Sequence, residues 1–253
     1  MVCSDTVEKK ELIPQDTAVS MRFRFSKLGR LKYISHLDVN RTLQRALTRA
    51  ALPLRYTEGF NPHPRMVCAL PLAVGVESTC EYLDASFSEP IDAGEAMARL
   101  NRELPEEMQI SEVYAPDFPF KKIGWAAYEL TLFGAFEKDF RDRLAALLES
   151  SPLIVTKRTK SGEKETDIAP YIRGAAVTED TEAGGGQLLR ISALLCADNT
   201  NFLNPAYLVR AAERYLSLCP DDAAVQNAGS PVLNFLNIRR SGVLLEDGAT
   251  VFH

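Results

Sequence analysis

The sequence predicts an α+β fold made of two tandem ferredoxin-like (βαββαβ) halves with antiparallel sheets. Apolar and basic side chains alternate over Met21–Phe25, and this period of two residues is typical of a half-buried strand. Residues Ser35–Ala51 carry apolar positions at helical spacing. The same succession of strand and helix signals returns after a proline-rich segment, which indicates that one βαββαβ plan is used twice. A single larger α+β domain is the alternative interpretation.

The first half is expected to span residues 21–115, behind a disordered tail at residues 1–20. Its first helix has a clear start, because Ser35 is a suitable N-cap and Asp38 follows three residues later. Pro53 predicts the helix end, since proline disfavours helical geometry in the residue before it. The further predicted elements are a short strand and ordered loop over Leu54–Met66, strands Val67–Val74 and Glu81–Phe87, a helix Ile91–Leu104 and a strand Met108–Tyr114.

The second half is expected to span residues 125–253, after a linker at residues 116–124. Alternation predicts its strands, and clustered leucines predict its first helix. The predicted elements are strands Trp125–Phe133 and Leu153–Thr159, a helix Glu137–Leu148, a strand Gln187–Cys196, a helix Asn204–Leu216 and a strand Val232–Ile238.

Composition narrows the class of protein. No apolar run approaches the roughly 20 residues that span a bilayer, and the first twenty residues lack the apolar core of a signal peptide, so we expect a cytoplasmic protein. The five cysteines include no pair at CxxC spacing. That argues against a disulfide framework, a zinc knuckle and a cysteine-held iron–sulfur cluster. We therefore predict neither a metal nor a cofactor.

Positive charge is concentrated in one segment of an acidic chain. Residues 21–66 contain ten Lys or Arg and two acidic residues, a net charge of +8 in a chain of −5 overall. Such local asymmetry indicates an anionic partner. Arg41, Arg45 and Arg49 form an i, i+4, i+8 row opposite the apolar side of the first helix, which suits a phosphate backbone. The alternative is an ordinary solvated helix face.

The loop Asn61-Pro62-His63-Pro64-Arg65 is a second candidate site. Proline on both sides of His63 restricts the loop, which favours a ligand site over a plain turn because it presents Asn61, His63 and Arg65 rigidly. Phe60 adds an aromatic ring able to stack on a base.

Two histidines are candidate catalytic residues, His36 and His63. His36 falls on the apolar side of the first helix, where it serves either packing or proton transfer. Glu77, Glu81 and Asp84 form either a general acid–base set or a group of surface carboxylates.

The runs Tyr33–Asp38, Gly59–Arg65 and Glu81–Asp84 resemble a radical-SAM-linked family, domain of unknown function 2344. The resemblance covers about residues 21–240. It implies an RNA- or ribosome-related setting with a radical-SAM protein as partner. This chain has no CxxxCxxC triplet, so the partner would be a separate protein that carries the cluster.

We therefore expect an RNA-binding or substrate-docking accessory protein that works with a radical-SAM protein in an RNA- or ribosome-related modification pathway. Arg41, Arg45 and Arg49 would hold phosphates, and Phe60, Asn61, His63 and Arg65 would form a rigid recognition loop. The sequence favours a non-catalytic role. One alternative is a metal-independent endoribonuclease-like enzyme that uses His36 or His63, and another is a protein-docking module with no nucleic-acid ligand.

Overall fold

The computed structural model describes residues 19–134, 136–159, 162–180, 187–198, 200–216 and 234–253. Within these ranges the fold is a mixed α+β arrangement with a mostly antiparallel sheet and four α-helices. The predicted tail lies outside the described residues except for its last two, Val19 and Ser20, which begin the first strand. None of the described helices is long and apolar enough to cross a membrane.

The elements of residues 21–115 follow the order strand, helix, strand, strand, helix, strand. They are β1 (Val19–Lys27), α1 (His36–Arg49), β2 (Met66–Cys68), β3 (Glu77–Phe87), α2 (Ala93–Asn101) and β4 (Ile110–Tyr114). The later elements are β5 (Ile123–Gly134), α3 (Phe140–Glu149), β6 (Ile154–Thr159), β7 (Gly162–Asp167), β8 (Ile172–Asp180), β9 (Gln187–Cys196), α4 (Ala206–Tyr215) and β10 (Asn234–Leu245).

One sheet runs through both parts of the described chain. Its strand order is β4-β1-β3-β10-β5-β9-β8, with β2 also paired to β3. All these pairs are antiparallel except β3 with β10, which pair in parallel through Glu77 and Ser78. The strands β6 and β7 form a separate two-stranded hairpin. The short parallel contact therefore joins the strands of residues 21–115 to those of residues 125–253.

Two apolar cores lie under the helices. In the first, Val39, Leu43 and Leu47 of α1 pack with Leu100 of α2 against Phe23 and its neighbours on β1 and β3. The second core lies between α3, α4 and the strands β5 and β9. The buried positions of α1 are those that the helical spacing predicts, and Ser35 Oγ accepts the Asp38 N–H as an N-cap should.

Two predicted strands of the first half are wrong in extent. The strand predicted over Val67–Val74 stops at Cys68, because Leu70 adopts a positive φ of 41° and Pro71 has no N–H for a ladder. Residues Leu54–Met66 contribute only isolated bridges before β2 begins.

The sequence interpretation missed β7 and β8. β7 (GEKETD) is exposed along most of its length, and the described residues of β8 include no buried side chain. Neither strand shows the apolar alternation that a half-buried strand requires. They form because the backbone of β7 pairs with β6 and the backbone of β8 pairs with β9.

Candidate functional site

Residues Thr57–Arg65, here called the proline loop, are fixed by main-chain hydrogen bonds. The Thr57 N–H donates to the His63 carbonyl (2.8 Å), and the His63 N–H donates to Thr57 Oγ1 (3.1 Å). At the base of the loop the Arg65 N–H donates to the Arg55 carbonyl (2.8 Å), and the Ser86 N–H of β3 donates to the Arg65 carbonyl (3.0 Å). The loop is therefore a closed hairpin anchored to the sheet.

The tip of the proline loop presents an uncovered aromatic ring. Phe60 is fully exposed, and Asn61, Pro62 and His63 beside it are exposed as well. Gly59 has a φ of 132°, a conformation that side chains rarely adopt, and this glycine allows the chain to turn at the tip. The structure thus brings four of the predicted residues together, since Arg65 stands at the base of the same hairpin.

Within the loop, His63 is held in one orientation. Its Nδ1 lies 3.2 Å from the Asn61 carbonyl oxygen and 3.2 Å from Thr57 Oγ1. The Asn61 carbonyl only accepts, whereas the Thr57 hydroxyl can donate to Nδ1 or accept from it, so the tautomer decides which contact is a hydrogen bond. In the tautomer that carries its proton on Nδ1, Nε2 offers a lone pair to a ligand.

The arginine row of α1 is exposed as predicted, but two of its three members already contact carboxylates. Arg41 Nη1 lies 3.3 Å from the Asp38 carboxylate, and Arg49 Nε donates to the Glu103 carboxylate at 2.8 Å. Arg45 has no carboxylate within ion-pair distance among the described residues. The three side chains line a shallow depression of about 460 Å³ on the surface of α1.

His36 lies in the first turn of α1 and is half-buried. Its Nε2 is 3.0 Å from Asn40 Nδ2, one turn further along the helix. In the part of the chain that the structure describes, no hydrogen bond or ion pair links His36 or the arginine row to the proline loop. The predicted residues therefore form two groups that no hydrogen bond or ion pair joins within the described residues.

The three carboxylates of β3 have a role that sequence reasoning missed. Each contacts an arginine: Glu77 contacts Arg239, Glu81 contacts Arg240, and Asp84 contacts Arg22. We call these six residues, together with Lys27, the charge cluster. The alternative of surface carboxylates is wrong for Glu77 and Glu81, because both are buried. The acid–base alternative stays a prediction.

Arg22 shows how many hydrogen bonds a buried guanidinium of the charge cluster makes. Its Nε and Nη2 donate to the two oxygens of Asp84 at 2.7 and 2.8 Å, and its Nη1 donates to the His253 carbonyl at 2.9 Å. The guanidinium also lies 4.5 Å from the ring centroids of Phe120 and Phe252. The side chain is fully buried.

Arg240 pairs with the carboxylate of Glu81 near the joint of the sheet, and the ammonium of Lys27 feels the charges of both groups. Arg240 donates to Glu81 through Nε at 3.1 Å and through Nη2, which also donates to the Leu70 carbonyl at 2.9 Å. Lys27 Nζ donates to the Ile34 carbonyl at 3.2 Å. Burial lowers the pKa of the Lys27 ammonium, and the charge of Glu81 opposes that shift.

Glu77 is held ionised by its donors. Burial raises the pKa of its carboxyl, but hydrogen bonds from Asn237 (2.6 Å), Arg239 (2.9 Å) and the Gly29 N–H (3.0 Å) outweigh burial and bring the pKa below its ordinary value. Charged residues in a strand that also carries Tyr82, Leu83 and Phe87 were the available signal, because a buried charge requires a partner.

The described cysteines are free and protonated at neutral pH. Burial raises the pKa of the Cys68 thiol to about 12 and that of Cys80 to about 11. A thiolate nucleophile is therefore absent at these two positions. No group of three or more His, Cys, Asp or Glu side chains is arranged to hold a metal ion in the described ranges.

Comparison with known proteins identifies a family. No curated protein matches the chain. A solved structure described as the crystal structure of an unknown protein from Galdieria sulphuraria is 14% identical, with 78% of this chain and 91% of that chain covered and a TM-score of 0.24. The model of the family described as "Uncharacterized protein conserved in bacteria (DUF2344)" matches residues 20–205, which is more than half of the chain. The protein therefore belongs to the DUF2344 family.

Proposed function

We propose that this protein is an RNA-binding accessory protein and that the proline loop binds unpaired bases. The observation that carries the proposal is the fully exposed ring of Phe60 on a hairpin whose backbone is already fixed. Proteins that recognise single-stranded RNA stack its bases on aromatic side chains. A fixed loop loses little conformational freedom on binding, so more of the stacking energy appears as affinity.

The polar groups beside the ring have the chemistry to contact a stacked base. Asn61 offers an amide with both donors and acceptors, and His63 offers Nε2 as an acceptor while Nδ1 is occupied. Arg65 Nη2 lies 3.9 Å from the Glu58 carboxylate, a distance long enough for a phosphate to compete for the guanidinium.

The arginine row supplies phosphate contacts of unequal strength. Arg45 has no carboxylate partner among the described residues and meets a phosphate without losing an ion pair. Arg41 exchanges its exposed contact with Asp38 for a phosphate at small cost. Arg49 is held by both the carboxylate and the carbonyl of Glu103 and contributes least.

The radical-SAM partner and the finer fold belong to the same proposal. The resemblance of the motifs around Tyr33, Gly59 and Glu81 to a radical-SAM-linked family supports a partner that carries the cluster and modifies the bound RNA.

Residues 21–115 use the strand order β4-β1-β3-β2, and residues 125–253 use the corresponding order β10-β5-β9-β8. These equal orders support two ferredoxin-like halves, with β6 and β7 as an added hairpin.

Binding to a fluorescent single-stranded RNA of mixed sequence tests the proposal. The protein is first purified free of nucleic acid, and Kd is then measured between about 50 and 200 mM salt. We expect Kd to rise steeply with salt and Phe60→Ala to weaken binding by about tenfold or more. Tyr215→Ala removes an exposed ring from α4 and serves as the matched control. Salt-insensitive binding, or equal affinities for the two variants, would contradict the proposal.

The orientation of His63 favours a second candidate, a metal-independent endoribonuclease. In that reaction Nε2 takes the proton of a 2′-hydroxyl, the 2′ oxygen attacks phosphorus, and the 5′ oxygen leaves with a proton from water. End-labelled RNA is incubated with the wild type, His63→Ala and His36→Ala. Cleavage that His63→Ala abolishes and His36→Ala retains supports this candidate, and intact RNA with the wild type excludes it.

A further inference from the structure

One edge of β2 has no hydrogen-bonding partner among the residues that the structure describes. In an antiparallel pair, successive residues direct their N–H and C=O groups alternately toward the partner and away from it. The Arg65 carbonyl accepts from β3 and the Ala69 N–H donates to β3, each at 3.0 Å. By this alternation, the backbone groups of Met66 and Cys68 point away from β3. Within the described residues, no hydrogen bond reaches these four groups.

An apolar groove of about 480 Å³ runs beside this strand and reaches the second half of the chain. Residues 67–71 form one side, and Phe120, Ile123 and Phe202 contribute apolar surface from the other elements. Val67 is 60% exposed and Phe202 is 40% exposed. The groove therefore combines uncovered apolar side chains with a strand that has donors and acceptors to offer.

The groove also carries a negative charge. Asp198 lies on its wall, where the N–H groups of Thr200 and Asn201 each donate to Oδ1 at 2.6 Å. Burial raises the pKa of this carboxyl, but these hydrogen bonds outweigh burial and bring the pKa below its ordinary value. Asp198 is therefore ionised at neutral pH and attracts a basic side chain.

We infer that the open edge of β2 binds an extended peptide segment of a partner protein. The segment adds a strand beside Met66 and Cys68, places alternate apolar side chains in the groove and sets a Lys or Arg near Asp198. An unpaired strand edge favours a partner with an extended backbone, because an extended chain spaces its N–H and C=O groups at the same intervals as the edge of β2. The edge begins at Met66, where the proline loop ends, but it shares no residue with that loop, and the inference does not depend on RNA binding.

Selection from a phage-displayed library of random peptides, about ten residues long, identifies a probe. The full chain is the bait, and an enriched peptide is synthesised in two forms. The second form is N-methylated at every other residue, on the edge that would face β2, which removes its donors but keeps its side chains. We expect the methylated peptide to bind at least about tenfold more weakly. Equal affinities would overturn the inference of an added strand.

Matched valine variants locate the site. Val67→Lys changes a valine that is 60% exposed in the groove, and Val251→Lys changes one that is 63% exposed elsewhere. We expect Val67→Lys to weaken peptide binding by about tenfold and Val251→Lys and Phe60→Ala to leave it unchanged. Far-UV circular dichroism checks that each variant is folded.

The remaining outcomes also decide the inference. A selection whose peptides bind wild type and Val67→Lys equally would overturn it, and so would a selection without enrichment. A wild-type dimer that Val67→Lys dissociates, measured by light scattering, would assign the edge to a second copy of this chain and overturn the peptide partner. Failure of RNA binding leaves these results unaffected, because each experiment measures peptide binding or self-association and none contains RNA.

Discussion

The charge cluster and the proline loop contain similar polar residues, but they use them in opposite ways. In the charge cluster, buried cations such as Arg22 and Arg240 meet a carboxylate on a neighbouring strand. In the proline loop, the backbone bonds to itself and leaves the Phe60 ring and His63 Nε2 uncovered. A buried charge without a partner costs several kcal/mol, so charges inside the sheet are paired, while the exposed loop is under no such constraint.

This contrast changes the interpretation of the positive charge at residues 21–66. Arg22 and Lys27 are buried, and Arg24 Nη1 donates to the Glu112 carboxylate at 2.6 Å. These residues balance acidic groups within the fold and add little to the field at the surface. The attraction for an anionic partner rests on the exposed basic residues of the segment, which include Arg30 and the arginines of α1, and on the proline loop.

Removing one member of a buried pair should have the largest effect. Arg240→Met leaves Glu81 buried without its guanidinium, and we expect the free energy of unfolding to fall by about 3–5 kcal/mol. Urea denaturation measures it. Arg141→Met is the matched control, because Arg141 pairs with Asp142 on the surface and its loss should lower the free energy of unfolding far less.

A double variant sharpens this result. Arg240→Met combined with Glu81→Met removes both charges, and we expect it to be less destabilised than Arg240→Met alone, since no carboxylate is left unpaired. If Arg240→Met lowers the free energy of unfolding no more than Arg141→Met does, the contrast between the charge cluster and the surface is wrong.

Phe60→Ala should separate affinity from stability. The ring contacts little in the fold, so we expect the free energy of unfolding to change by less than about 0.5 kcal/mol. We expect RNA affinity to fall by about 1–3 kcal/mol, the usual value of one stacked base. Urea denaturation and fluorescence anisotropy measure the two quantities. A large loss of stability would show that the ring is part of the core.

Glu77 should make the free energy of unfolding depend on pH in the acidic range. Its folded pKa lies below the ordinary value of 4.5, so its stabilising contribution is fully present above that value and is lost as pH falls through the folded pKa. We therefore expect Glu77→Gln to be less stable than the wild type at neutral pH and the difference to shrink below about pH 4.5. Urea denaturation across this pH range checks the prediction, and a constant difference would contradict it.

The smallest expected effect concerns the arginine row. Arg45→Ala should reduce the slope of log K against log salt by about 0.7–0.9, the value of one phosphate contact. Arg49→Ala should change the slope less, because Glu103 already holds that guanidinium. Titrations of RNA binding at several salt concentrations compare the two. Equal changes would mean that the contact with Glu103 does not compete with phosphate.

Local signals explain which elements were predictable. The start of α1 follows from the Ser35 cap and its apolar spacing, both of which act within a few residues. β7 was missed because an exposed strand needs no apolar alternation, and β8 was missed because its apolar residues are only partly buried against the second core. The parallel contact of β3 with β10 has no local signature at all, since its residues are about 160 positions apart in the chain.

The sequence by itself determined the rigid proline loop, because two prolines restrict the backbone wherever the loop lies and Gly59 permits the turn at its tip. It also determined the apolar faces of the helices. Only the tertiary structure decided which charges reach the surface, because the partner of Arg22 is 62 residues away and that of Arg240 is 159 residues away. Folding brings such pairs together, and no short-range pattern records them.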